Sequence, residues 1–155
     1  MKTFIVFLAF ALVFSGFMVY TDDSGNYVRL QKYLKALAEE CAAGGALMID
    51  YAASEKLYQE AVKRGSSDRQ LYVINENDAG KYSAFAVNNS GADLYPLAHG
   101  DVSVAALKRF RNAAGNECIR VEVKWAADPG YRLIRLPFVD SPSVVTKAAV
   151  YEVRR

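Results

Sequence analysis

The opening twenty residues constrain this chain more than any other stretch. After Met1 and Lys2 the sequence runs from Thr3 to Tyr20 without one ionisable side chain, and Phe4, Ile5, Phe7, Leu8, Phe10, Leu12, Phe14 and Phe17 dominate it. As a helix that run spans roughly 27 Å, close to the hydrocarbon thickness of a bilayer. Tyr20 suits the headgroup level, and Thr21-Asp22-Asp23 follows it. Lys2 on the other flank places the amino terminus in the cytoplasm and the remainder outside, by the positive-inside bias. The alternative is a cleavable export signal. Its best cut follows Val13-Phe14-Ser15 and leaves Phe17-Met18-Val19-Tyr20 as an apolar stub; Ala9-Phe10-Ala11 fits better by residue type but leaves too short an apolar core before it.

The rest of the 155-residue chain is sized for one domain behind that appendage. Nineteen Lys and Arg against seventeen Asp and Glu give a net charge of +2, too balanced for the concentrated basic face of a nucleic-acid binder. With 52% apolar and 23% charged residues, the composition is globular and excludes a disordered chain. From Tyr27 to about Arg64 the residues Tyr27, Leu30, Leu34, Leu37, Ala38, Cys41, Gly45, Met48 and Ala52 recur at helical spacing and predict one amphipathic helix. Asp23 or Ser24 is placed to cap it, and Gly65-Ser66-Ser67 to stop it. Asp22 to Asn26 is either a break or a weak spot; without a break the two segments make a rod near 90 Å long. Gly44 and Gly45, in the small-residue patch Ala42–Ala46, predict a close neighbour there, either the protein's own sheet or a second copy of the helix.

Beyond Gly65 the pattern changes. Leu71–Ile74 and Tyr82–Val87 read as strands around a turn at Asn77–Gly80, and Asn88–Gly100 reads as a loop. A helix is expected from Asp101 or Ser103 through Val104, Leu107, Lys108, Phe110 and Arg111 to about Gly115. Ile119, Val121, Val123 and Trp125 alternate with Arg120, Glu122 and Lys124, the mark of a strand with one buried face. Turns at Asp128-Pro129-Gly130 and Asp140–Ser143 then bound strands at Tyr131–Val139 and Val144–Val153, an antiparallel meander. The expected fold is α+β: a long hydrophobic-then-amphipathic helix packed on a small antiparallel sheet head. It divides into a transmembrane or filament-core helix (1–21), an amphipathic stalk (22–65) and an α+β head (66–155).

This plan resembles that of type IV pilin-like proteins, and within them the TadE-like pseudopilins of tight-adherence pilus systems. The resemblance lies in the alanine-rich helix Leu30–Leu47 behind the hydrophobic anchor, and in the carboxy-terminal Arg135-Leu-Pro-Phe138 followed by a closing strand ending in Tyr151-Glu-Val153. It implies a structural subunit. The helix carrying Phe4, Ile5, Phe7, Leu8, Phe10, Leu12, Phe14, Gly16 and Phe17 would sit in the inner membrane before assembly. It would then pack against copies of itself in an extracellular filament, with other pilus-assembly components as partners. The alternatives are a non-polymerising single-pass membrane-anchored binding or scaffold protein, and a secreted domain after signal cleavage.

Little points to chemistry. Cys41 and Cys118 are either an interelement disulfide, worth about 4 kcal/mol for a loop of that length, or two buried free thiols. His99 is the only histidine and no nucleophile motif accompanies it, so it reads as a surface-loop residue. Asn75–Gly80 and Asp22–Asn26 cluster oxygen ligands without calcium-loop spacing and read as turns. Lys108, Arg109, Arg111, Arg154 and Arg155 are scattered cations, and no phosphate loop or Cys-x-x-Cys pair is present. Asn88-Asn89-Ser90 matches a glycosylation acceptor. No catalytic, cofactor, metal or nucleic-acid site is expected, and the protein is not expected to be an enzyme.

Overall fold

The computed structural model describes residues 2–65, 72–90 and 97–153. Helix α1 runs unbroken from Lys2 to Ala46, 45 residues and about 68 Å. Asp22–Asn26 is helical throughout, because the residues placed to cap there are otherwise engaged. The Ser24 hydroxyl donates back to the Thr21 carbonyl (3.2 Å), Thr21 donates to Met18 (2.9 Å), and the Asp23 carboxylate accepts from Arg135. Leu30, Leu34, Leu37, Ala38 and Cys41 are buried, as their spacing predicts.

The helix does not continue to Arg64. At Gly44-Gly45 the next two amides, of Leu47 and Met48, bond the carbonyls three residues back, tightening the last turn. The chain then extends so that Ile49 bridges Ile74 in antiparallel fashion, flanked by Asp50 N–H to the Val73 carbonyl (2.8 Å) and Asn75 N–H to the Met48 carbonyl (2.7 Å). Asp50 next caps a separate helix, α2 (Tyr51–Lys63), by accepting from Ala53 N–H, and α2 buries none of its side chains. It stops at Arg64 and Gly65, whose φ of +73° suits glycine; Ser66, Ser67 and Leu71 lie outside the described residues.

Helix α3 (Glu76–Asn88) stands where a turn and a strand were expected. Asn75 caps it, its side-chain oxygen accepting from the amides of Asn77 and Asp78, and Ala79, Ser83, Ala86 and Val87 are buried at helical spacing. This helix explains the small-residue patch. A Cβ on Gly44 would lie 2.0 Å from Tyr82 Cε1, and one on Gly45 would lie 3.1 Å from Ile119 Cδ1 and 3.3 Å from Ala79 Cβ. The close neighbours are therefore the protein's own α3 and sheet. Gly44→Leu is expected to cost about 2 kcal/mol by overpacking, whereas Gly25→Ala, with nothing within 4 Å, should gain about 1 kcal/mol. Thermal midpoints of the two variants check the contrast; equal midpoints would remove the close-packing role.

The sheet has three antiparallel strands in the order β1 (Gly100–Arg111), β2 (Glu117–Ala127), β3 (Val144–Glu152). Strand β1 replaces the helix expected from Asp101 onward. The expected strand Tyr131–Val139 is a loop, so β2 pairs directly with β3, from Cys118↔Glu152 to Ala126↔Val144. Ile119, Val121, Val123 and Trp125 are fully buried and belong to one core with Leu30, Leu34 and Leu37 of α1. The architecture is thus α+β, with the carboxy-terminal half of α1 built into the head rather than standing as a separate stalk.

Candidate functional site

Helix α1 is one rod in two environments. From Tyr27 onward its stripe faces the sheet and α3. From Phe4 to Phe17 the large apolar side chains, including Phe4, Ile5, Phe7, Leu8, Phe10, Leu12, Phe14 and Phe17, are all exposed, and Gly16 has open space around it. None of the most apolar window of α1 is buried, and that window is long and apolar enough to cross a membrane. Burying those side chains in lipid or protein is favourable by about 25 cal/mol per Å² of apolar surface. These side chains therefore form one continuous apolar surface that no other described residue covers.

The junction between the two environments is locked. Asp23 is the first buried residue of α1 among those described, only 1% exposed. Its carboxylate accepts from Arg135 N–H (2.7 Å) and Nε (2.8 Å), while Arg135 Nη2 also reaches Asp22 Oδ2 (2.8 Å). Nothing in the local sequence pairs these residues, which lie 112 positions apart. The one available signal was two carboxylates directly behind an apolar run. A buried carboxylate is stable only when charge-paired and hydrogen-bonded, so this contact fixes the head against the helix where the apolar half ends.

The two cysteines are not joined. Strand alternation puts Cys118 on the face of β2 opposite Ile119, Val121 and Val123, away from the core that holds Cys41. Both are free thiols: Cys41 Sγ lies 3.8 Å from the Ser83 carbonyl oxygen and Cys118 Sγ 3.7 Å from that of Asn116. Burial raises both thiol pKa values, which favours the protonated thiol over the nucleophilic thiolate. His99 is exposed in the turn before β1, where it stacks on Tyr131 (4.6 Å between ring centroids), which meets Trp125 edge-on at 6.2 Å.

The oxygen clusters are consumed by the fold, Asn75 and Asp78 in the α3 cap and Asp22 and Asp23 on Arg135. Arg109 pairs with Glu76 and Glu117, and Arg111 with Glu117. Lys108 is exposed on β1, Asn88 is exposed at the end of α3, and Arg154 and Arg155 lie outside the described residues. Compared with protein-family models, curated proteins and solved structures, the chain gives no match.

Proposed function

We propose that the chain is a pilin-like structural subunit. Residues 4–20 of α1 hold it in a bilayer with the head outside the cytoplasm, and the same surface packs against copies of the chain when they assemble into an extracellular filament. The observation that carries this reading is the continuity of α1 from the apolar half into the core. No linker separates the apolar half of α1 from the half that forms the core, and Arg135 clamps the junction. Whatever grips the apolar half therefore sets the position of the head, as a repeating subunit requires and a flexibly tethered domain does not. Heterologous contacts between such rods generate an open helical array.

A second reading, a single-pass anchored protein that never polymerises, is favoured by one feature. The segment Thr3–Tyr20 contains no charged residue to set register between copies, and lipid alone satisfies an apolar surface. Negative-stain microscopy of cell-surface material, labelled with antibody against the head, separates the two. Labelled filaments are expected; label confined to the membrane fraction supports the second reading. A native amino terminus at Gly16 on a dissolved monomer would sink both.

A further inference from the structure

The loop between β2 and β3 presents a phenylalanine in a way the fold does not explain. Phe138 is 105% exposed, and its backbone φ is +86°, in the left-handed region that a bulky residue rarely adopts. It is the one non-glycine residue with positive φ among those described. The conformation is enforced on both sides: Arg132 Nη2 donates to the carbonyls of Leu136 (3.2 Å) and Val139 (2.8 Å), and Val139 N–H donates to the Leu136 carbonyl (3.4 Å). The base is anchored as well, with Leu133 buried and Ile134 N–H on Ser141 Oγ (3.0 Å). An exposed aromatic held rigidly at a conformational cost is a presented side chain, not a slack loop tip.

Its place in the fold says what it is presented to. Arg135, three positions before Phe138, is bound to Asp22 and Asp23. Asp23 lies three residues past Tyr20, a rise of about 4.5 Å along α1, while the three residues from Arg135 to Phe138 span at most about 10 Å, and less here because Leu136–Val139 is a turn. The tip is therefore within reach of the level at which α1 passes from Phe17 and Tyr20 to Asp22. That is where aromatic side chains are favoured in a bilayer, and the loop sequence Tyr131-Arg-Leu-Ile-Arg-Leu-Pro-Phe-Val139 mixes apolar groups with two arginines ahead of the exposed Asp140.

We propose that this loop is a second membrane contact. Phe138, on the Leu136–Val139 turn, inserts into the headgroup–acyl boundary of the leaflet from which α1 emerges, and with the Arg135 clamp fixes the tilt of the rod. The proposal rests on the reading that residues 4–20 lie in a bilayer. It commits to lipid, not a sister chain, because the patch adjoins the apolar half of α1 through the Asp23–Arg135 contact.

The test is Phe138→Trp in the full chain, reconstituted in phosphatidylcholine vesicles brominated along the acyl chains. Phe138 touches solvent on all sides, so the exchange should not disturb folding, and buried Trp125 supplies a constant background measured in the wild type. The variant is expected to float with the vesicles and to lose its added emission to brominated lipid, with protection from aqueous iodide, as an aromatic side chain at the interface does. Flotation with quenching by iodide alone overturns the loop contact while leaving the anchor intact. Flotation with shielding from both quenchers assigns Phe138 to a sister chain and overturns the lipid assignment. Failure to float overturns the anchor and the loop contact together.

Discussion

Trp125→Ala is expected to lower the unfolding free energy by about 3–5 kcal/mol, a large part of the 5–15 kcal/mol that a domain of this kind possesses. Trp125 is the largest fully buried side chain in the head, and three separate elements close around it. Its Nε1–H donates to the Leu97 carbonyl (3.4 Å) in the turn before β1, and Tyr131 from the β2–β3 loop meets it edge-on. On β1, Gly100 lies so close that a Cβ there would stand 2.4 Å from Trp125 Nε1 and 2.5 Å from the Ala126 carbonyl. Truncation opens a cavity that these neighbours cannot fill, since each is tethered to its own strand or loop. Gly100→Ala should cost about 3 kcal/mol from the opposite direction, because a backbone carbonyl and a buried ring leave no room to yield. Circular dichroism with denaturant titration measures both. A loss below about 1 kcal/mol for Trp125→Ala would mean that the ring is not the keystone described.

How far the fold could be read in advance depended on whether one periodicity governed each stretch. On β2 a single buried face imposes period two, and Ile119, Val121, Val123 and Trp125 carry it without interruption. The stripe from Leu30 to Cys41 does the same for α1. Strand β1 has a helix-like sequence pattern because its register shifts between Val104 and Ala106. One inserted residue turns a spacing of two into three, so that Val104 and Leu107 imitate helical neighbours. Helix α3 is the reverse case, a helix with a strand-like pattern. Its buried positions are Ala79, Ser83, Ala86 and Val87, small residues that carry little hydropathy signal, while Tyr82, Phe85 and Val87 give the segment a strand-like composition. Asn75 caps this helix, with Glu76 and Asp78 in its first turn, within a stretch whose Asn, Asp and Gly content also fits a turn.

Residues 131–139 have strand-like composition, yet the Arg135 amide is taken by the Asp23 carboxylate and Arg132 gathers the local carbonyls, so little remains for a ladder. That pairing is tertiary and no local window contains it. For the candidate site the split was similar. The unpartnered apolar surface is plain from composition, whereas the clamp that joins it to the head follows from a contact across 112 residues, and the presentation of Phe138 from side-chain bonds of Arg132 that no hydropathy pattern reports.

Leu12→Lys is expected to abolish stable membrane association and, with it, any filament. Leu12 sits midway along residues 4–20 and is 67% exposed in the isolated chain, so no part of the head shelters the new charge. At the centre of a spanning helix a lysine in place of a leucine costs about 3 kcal/mol, or roughly a hundredfold in the insertion equilibrium. Packed among copies the penalty recurs in every subunit, because a homotypic array brings lysines near one another and the segment Thr3–Tyr20 offers no carboxylate to pair with them. Val28→Lys provides the matched control. Val28 is also exposed on α1 but lies beyond Asp23, on the half that belongs to the head, where a surface substitution changes stability by less than about 0.5 kcal/mol. The measurements are carbonate extraction of membranes and antibody-labelled microscopy of surface material, run on both variants beside the wild type. Loss of membrane retention in Leu12→Lys with full retention in Val28→Lys ties the function to the apolar half of α1 alone. Equal retention in the two would show that the exposed phenylalanines and leucines of that half are not what holds the protein in place.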